Sequence, residues 1–183
     1  DLGTAAIYVL LTIVILFLGG LRWRYLGVSA GAFVVALGLM ILQAPYRVRR
    51  VLAFLNPEDD PQGAGFQMRQ SILAVASGGI QGTSLGESRQ KLFFLPEPHT
   101  DFIFSVIAEE LGLIGAAAVI IAFGVLFWRG MVAATGAPDR GGYYLGAGIT
   151  CWLVLQAMVN IAVTLGLVPT KGIPLPFLSY GGS

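Results

Sequence analysis

The sequence has one cysteine, one histidine and very little charge. A single cysteine, Cys151, excludes a disulfide framework within the chain and any cysteine-based zinc site. A single histidine, His99, excludes a HExxH metal site. Only 11% of residues are charged, against about a quarter in an ordinary soluble domain. The net charge of +1 gives no bulk polarity that argues for nucleic acid. No GxxxxGK[ST] stretch occurs, so a nucleotide P-loop is excluded. No internal repeat or low-complexity tract is present.

What the chain has is apolar length. Its mean hydropathy is +0.78, and four runs, at 2–21, 26–44, 101–128 and 143–167, are long enough to cross a bilayer as helix, which takes roughly 20 residues. The fold class expected is an all-α polytopic membrane protein with four transmembrane helices. A large extracytoplasmic loop, 45–100, adds short interfacial or half-inserted helices. "RWRY", residues 22–25, reads as a tight turn with basic and aromatic residues at interface level. Residues 129–142 join the third and fourth spans. The positive-inside rule makes both connections cytoplasmic and leaves 45–100 and 168–183 outside. The first apolar run has no charged leader, so it reads as a span rather than a signal peptide. A start at Asp1 and a stop in "SYGGS" read as part of a longer protein.

The outer loop carries Arg47, Arg49, Arg50, Arg69, Arg89 and Lys91, more cations than both inner connections together. These need a reason of their own. "PYRVRRVLAFLNP" sets Val48, Val51, Leu52 and Leu55 on one helical face, the pattern of a helix in the membrane interface. Arg47, Arg49 and Arg50 fall largely off that face and can snorkel to headgroups. "NPEDDPQGAG" reads as turns. "FQMRQSILAVASGGIQG" reads as a half-inserted apolar helix ended by glycines. Arg69, Arg89 and Lys91 flank that stretch, where fixed cations suit diphosphate oxygens. Gly78, Gly79, Gly82 and Gly86 either offer N–H groups to an anion or form a flexible turn.

Carboxylates in or beside membrane helices are costly and are candidate functional groups. Asp101 stands at the head of the third span, where the helix dipole favours negative charge. Asp101 or Thr100 can also simply cap the helix. Glu109 and Glu110 lie about 12–13 Å deeper at the helical rise of 1.5 Å per residue. They are either structural or part of a polar cavity. His99 stands too close to Asp101 in sequence to favour a Ser–His–Asp arrangement, and it is expected to order the loop. "PTKGIPLPFLSY" holds three prolines, cannot form a regular helix, and must satisfy its backbone with protein or water. Lys171 within it adds a cation on the side of Asp101.

Together "DLGTA", "YRVRRVLAFLNPEDDPQGAGFQ", "QKLFFLPEPHTDFIFSVIAEELGLIG" and "PTKGIPLPFLSYGGS" resemble the SEDS family of bacterial shape, elongation, division and sporulation proteins. The resemblance spans essentially the whole chain. "GESRQK" and "PTKG" are similar to the division branch rather than the elongation branch. The resemblance implies a peptidoglycan glycosyltransferase that polymerises lipid II, an undecaprenyl-diphosphate-linked disaccharide peptide, outside the bacterial cytoplasmic membrane. It implies that Asp101 is catalytic, as general base or as ligand to a divalent cation, Mg or Mn. Candidate substrate contacts are Arg69, Arg89, Lys91, Lys171, His99, Glu109 and Ser179. Expected partners are a class B penicillin-binding protein and other divisome membrane proteins. A lipid II flippase and a scaffold without catalysis are the alternatives.

Overall fold

The structure is a computed structural model that describes residues 2–56, 63–83, 101–169 and 172–179. All regular structure among the described residues is helical. The helices are α1 (Leu2–Leu18), α2 (Trp23–Leu42), α3 (Pro45–Leu55), α4 (Ala64–Gly78), α5 (Ile103–Thr135) and α6 (Arg140–Thr164). Three of them, α2, α5 and α6, are long and apolar enough to cross a membrane; α1 is apolar but shorter. At 17 residues α1 sits at the short end of what a bilayer needs. These four helices overlie the four apolar runs of the sequence. Large apolar side chains such as Val28, Val34, Leu42, Ile121 and Leu145 stand exposed along them. In water so much apolar surface would be a liability; against hydrocarbon it is the proper face.

The first turn differs from the one expected at 22–25. Helix α1 stops in a Schellman turn, with the Leu21 N–H donating to the Leu16 carbonyl at 3.1 Å and the Gly20 N–H to that of Phe17 at 2.9 Å. Gly20 takes φ 79°, which a residue with a Cβ resists. The turn therefore falls at 19–22, and Arg24 and Tyr25 join the first turn of α2. The second connection is also shorter than the expected 129–142. The Asp139 carboxylate accepts the Gly142 N–H at 3.2 Å and caps α6, so only 136–139 separate the helices.

By packing, the chain divides into two units, 1–48 with 123–155 and 49–122 with 156–183. In the first unit α5 and α6 meet through small residues. A Cβ placed on Gly130 would lie 3.0 Å from Thr150 Cβ, and one on Gly146 would lie 3.1 Å from Ala134 Cβ. Small residues at such crossings let helix backbones approach where no hydrophobic force between helices exists in lipid. Arg47, which the sequence allowed to snorkel to headgroups, is engaged with protein. Its Nη1 donates to the Met40 carbonyl at 2.8 Å near the end of α2, and its guanidinium lies 5.3 Å from the centre of the Tyr46 ring. Arg49, Arg50, Leu52 and Leu55 of α3 are exposed.

In the second unit the main event is a break in α5. Gly112 adopts φ 65° and ψ −161°, dividing the helix into 103–111 and 113–135. The turn that follows α4 fills the gap. Gly79 accepts the Leu113 N–H at 2.9 Å, Ile80 accepts the Ile114 N–H at 3.5 Å, and Glu109 accepts the Thr83 N–H at 3.0 Å. The Thr83 hydroxyl reaches the same Glu109 carbonyl at 3.2 Å. The turn after α4 thus supplies hydrogen bonds that a broken apolar helix would otherwise lack. The backbones nearly touch: a Cβ on Gly112 would lie 2.7 Å from the Ile80 carbonyl carbon.

This arrangement predicts that Gly112→Ala lowers stability by at least about 1–3 kcal/mol, the usual cost of forcing a side chain into strained backbone. Gly124→Ala, where a Cβ meets nothing within 4 Å, should leave stability unchanged or raise it slightly. Thermal unfolding in detergent compares the two.

Candidate active site

Asp101 lies just ahead of α5. The Val106 N–H donates to the Phe102 carbonyl at 3.3 Å, the first bond of the helix, so Phe102 occupies the cap position and Asp101 precedes it. The Ser105 hydroxyl also donates to the Phe102 carbonyl, at 2.7 Å. Phe102 itself is buried against Val163, with Val159 and Val168 around them. The head of α5 is therefore anchored by one aromatic side chain while Asp101, half-buried, stands at its edge.

The segment 172–179 comes alongside. A Cβ on Gly172 would lie 3.0 Å from Asp101 Oδ2 and 3.8 Å from Oδ1, so the carboxylate faces the backbone of Gly172 at close range. The segment's backbone, which its prolines keep out of helix, is served by amides from α6. Gln156 Nε2 donates to the Pro174 carbonyl at 3.0 Å. Asn160 Nδ2 donates to the Ile173 carbonyl at 2.7 Å and also to the Asp101 carbonyl at 2.8 Å. Asn160 is only 1% exposed, and its Oδ1 has no hydrogen-bond partner among the described residues. Leaving a buried acceptor unpaired costs about 1–3 kcal/mol, so the two carbonyl bonds are held at a cost.

The segment then buries Ile173 and Leu175 and turns. Phe177 takes φ 65°, a left-handed conformation that is unusual for a bulky residue, and is largely exposed. Ser179 closes the turn, its hydroxyl donating to the Leu175 carbonyl at 2.9 Å and its N–H to the same oxygen at 3.1 Å. Helix α4 docks against the end of α6 through a buried bond from the Ser71 hydroxyl to the Thr164 carbonyl, 2.8 Å.

The residues singled out from the sequence fall in several places. Arg89, Lys91, His99 and Lys171 lie outside the described residues. Arg69 is half-buried on α4, and no described contact joins it to Asp101. Glu109 is 3% exposed and sits at the Gly112 break, in the deeper part of α5. Glu110 beside it is half-buried, with Oε1 shut in and without a hydrogen-bond partner among the described residues. Ser179 uses its hydroxyl within its own turn. What the structure gathers is Asp101, Gly172 and Asn160. Asn160 and Gln156 were missed by sequence reading. The available signal was the spacing of Gln156, Asn160 and Thr164 at every fourth position in an apolar helix, which puts three polar groups on one face.

Fold and site together define an all-helical membrane protein in which an acid at the head of a broken helix faces a proline-rich segment. The comparisons narrow that class. The family profile for cell cycle proteins of the FtsW, RodA and SpoVE group matches residues 1–183, and the chain belongs to this family. It is 48% identical over 188 residues to stage V sporulation protein E of Bacillus subtilis, covering all of this chain and 50% of that protein. It is 49% identical over 186 residues to a probable peptidoglycan glycosyltransferase FtsW of Trichlorobacter lovleyi, covering all of this chain and 48% of that protein. Among solved structures it resembles a chain of a peptidoglycan synthase complex, with a TM-score of 0.78 and 31% identity over 99% of this chain and 50% of that one. It also resembles a point mutant of the rod shape determining protein RodA of Thermus thermophilus, with a TM-score of 0.59 and 28% identity over 99% of this chain and 44% of that one. The chain spans about half the length of the curated relatives it matches.

Proposed function

We propose that this chain is the part of a division-type peptidoglycan glycosyltransferase that carries its catalytic carboxylate, Asp101, and that the whole protein polymerises lipid II. Family membership supports the reaction class. The observation that carries the site is Asp101 at the head of a membrane-length helix, half-buried against the backbone of Gly172.

Chain extension joins a sugar hydroxyl to an anomeric carbon that already bears a good leaving group, a lipid diphosphate. The leaving group needs no proton, unlike glycoside hydrolysis, which uses two carboxylates. One base is enough. Asp101 takes the hydroxyl proton as the oxygen forms its bond to the anomeric carbon. The bond from that carbon to the diphosphate breaks, and its electron pair leaves with the phosphate oxygen. A single displacement inverts the anomeric centre. Arg69, Arg89, Lys91 and Lys171 are the cations proposed to steady the departing charge, with His99, Glu109 and Ser179 as further substrate contacts. Among the described residues no cluster of three or more metal-ligating side chains occurs. A lone carboxylate with substrate phosphates still fits the way Mg²⁺ is commonly held. Asp101 would then be its protein ligand, and the ion would neutralise diphosphate charge.

In this reading four helices span the bacterial cytoplasmic membrane, α1 included. Residues 45–100 and 168–183 face outward, and the turns at 19–22 and 136–139 face the cytoplasm. The polyprenyl tail stays in the bilayer, which accounts for a site at a membrane boundary. A class B penicillin-binding protein is the proposed partner, alongside other divisome membrane proteins; resemblance to a chain of a peptidoglycan synthase complex supports that assignment. The second reading, a lipid II flippase, draws on the broken α5 with Glu109 buried beside the break. A scaffold role is the third.

Asp101→Asn in the full-length protein should reduce lipid II polymerisation by about 10²–10⁴-fold, the usual contribution of a positioned base. Polymer at the wild-type rate would remove Asp101 from the mechanism, and transbilayer movement without polymer would favour the flippase. Gly172→Ala, which sets a methyl 3.0 Å from Asp101 Oδ2, should lower kcat by about tenfold or more through displacement of the carboxylate. Steady-state polymerisation kinetics with labelled lipid II measure both.

A further inference from the structure

We propose that Asn160 is a positioning residue for Asp101: its two amide hydrogens tie the head of α5 to the segment 172–175 and so set the carboxylate against Gly172. This rests on the glycosyltransferase reading above.

Asp101 precedes the first hydrogen bond of α5. Its carbonyl accepts a bond from Asn160 Nδ2 at 2.8 Å. The same nitrogen holds Ile173, the neighbour of Gly172, at 2.7 Å. One side chain therefore grips both backbones within one residue of the place where carboxylate and glycine face each other. The orientation of the amide is determined by chemistry: both partners are carbonyl oxygens, so only the NH₂ group can serve them. An oxygen turned the other way would oppose two acceptors.

The geometry is also specific to asparagine. A leucine fills similar space but donates nothing. An aspartic acid, protonated as burial in apolar surroundings demands, has one hydrogen and can hold one carbonyl, not both. A glutamine is a methylene longer and has to displace one of the two backbones. Gln156, one turn earlier on the same face, reaches only Pro174 among the described residues, so it holds the segment without holding Asp101. Among the described residues Oδ1 of Asn160 has no partner, so the two donor bonds are the ones this side chain makes there.

The test compares Asn160→Leu and Asn160→Asp with Ser71→Ala in full-length protein. Ser71→Ala removes another buried bond to α6, at Thr164, without touching Asp101. Both Asn160 variants should lose about 10–100-fold in kcat for lipid II polymerisation, as a slightly misplaced catalytic group does, with KM within about twofold. The Asp variant keeps the shape of the side chain and serves where the Leu variant does not fold. Ser71→Ala should keep kcat within about twofold, as loss of a purely structural bond does. Amide exchange of the peptides around 101–106 and 172–176 is read on the same samples. It should quicken in both Asn160 variants and stay unchanged in Ser71→Ala. Unchanged exchange or unchanged kcat in the Asn160 variants of an active protein overturns the proposal alone. So does a loss confined to KM, or an equal kcat loss in Ser71→Ala. A wild-type protein that makes no polymer overturns the reading beneath it instead, and the exchange data still show whether Asn160 holds the two backbones together.

Discussion

Hydrocarbon offers nothing to a backbone N–H or C=O, so each place where a membrane helix stops must be closed by other protein atoms. Two interruptions in this chain meet that demand in different ways. At Gly112 the gap is closed by backbone, from the turn after α4. In the segment 172–179 it is closed by side-chain amides of α6, Gln156 and Asn160. The rest of the second unit is arranged around these closures. Glycines are required where backbone meets backbone, and amides where helix meets a chain without a ladder.

This constraint also makes room for chemistry. A regular helix uses its own polar groups and presents only side chains. A broken or proline-rich stretch presents backbone, and it can bring a glycine up to a carboxylate as Gly172 is brought to Asp101. The anchoring is divided. Phe102 fixes the head of α5 by packing against Val163, while Asn160 fixes the same region by hydrogen bonds. Packing resists displacement in every direction only weakly; a pair of short bonds to two backbones sets a definite separation. Under the glycosyltransferase reading proposed above, a base that meets a sugar hydroxyl at hydrogen-bond distance benefits from the second kind of restraint. The deeper acids belong to a different environment. Glu109 is buried at the Gly112 break, so it and Asp101, just ahead of α5, sit in distinct surroundings.

Much of the architecture was legible in the residue order. Long apolar runs are read as helices because nothing else about 20 residues long satisfies its own backbone in lipid. The short helix before Gly79 could be read from its length and its glycines. Asp101 could be picked out because an acid beside a membrane helix is expensive. Other features were shifted by local capping. Gly20 moved the first turn ahead of Arg24, and Asp139 shortened the second connection. Both signals are short-range, and both were present as a helix-stopping glycine and a capping aspartate. The break at Gly112 was not read, since a glycine within an apolar run is common and only the approach of the 78–83 turn distinguishes this one.

The sequence by itself determined the helical class, the membrane solvent, the family resemblance and the candidate acid, because each rests on composition, periodicity or motif along the chain. The tertiary structure alone decided what faces that acid. Asn160 reaches carbonyls 59 and 13 residues away along the chain. An amide in an apolar helix announces only that it needs partners. Which backbones it joins depends on how α6, the head of α5 and the proline segment come together, and separations of that kind leave no periodic trace in the order of residues.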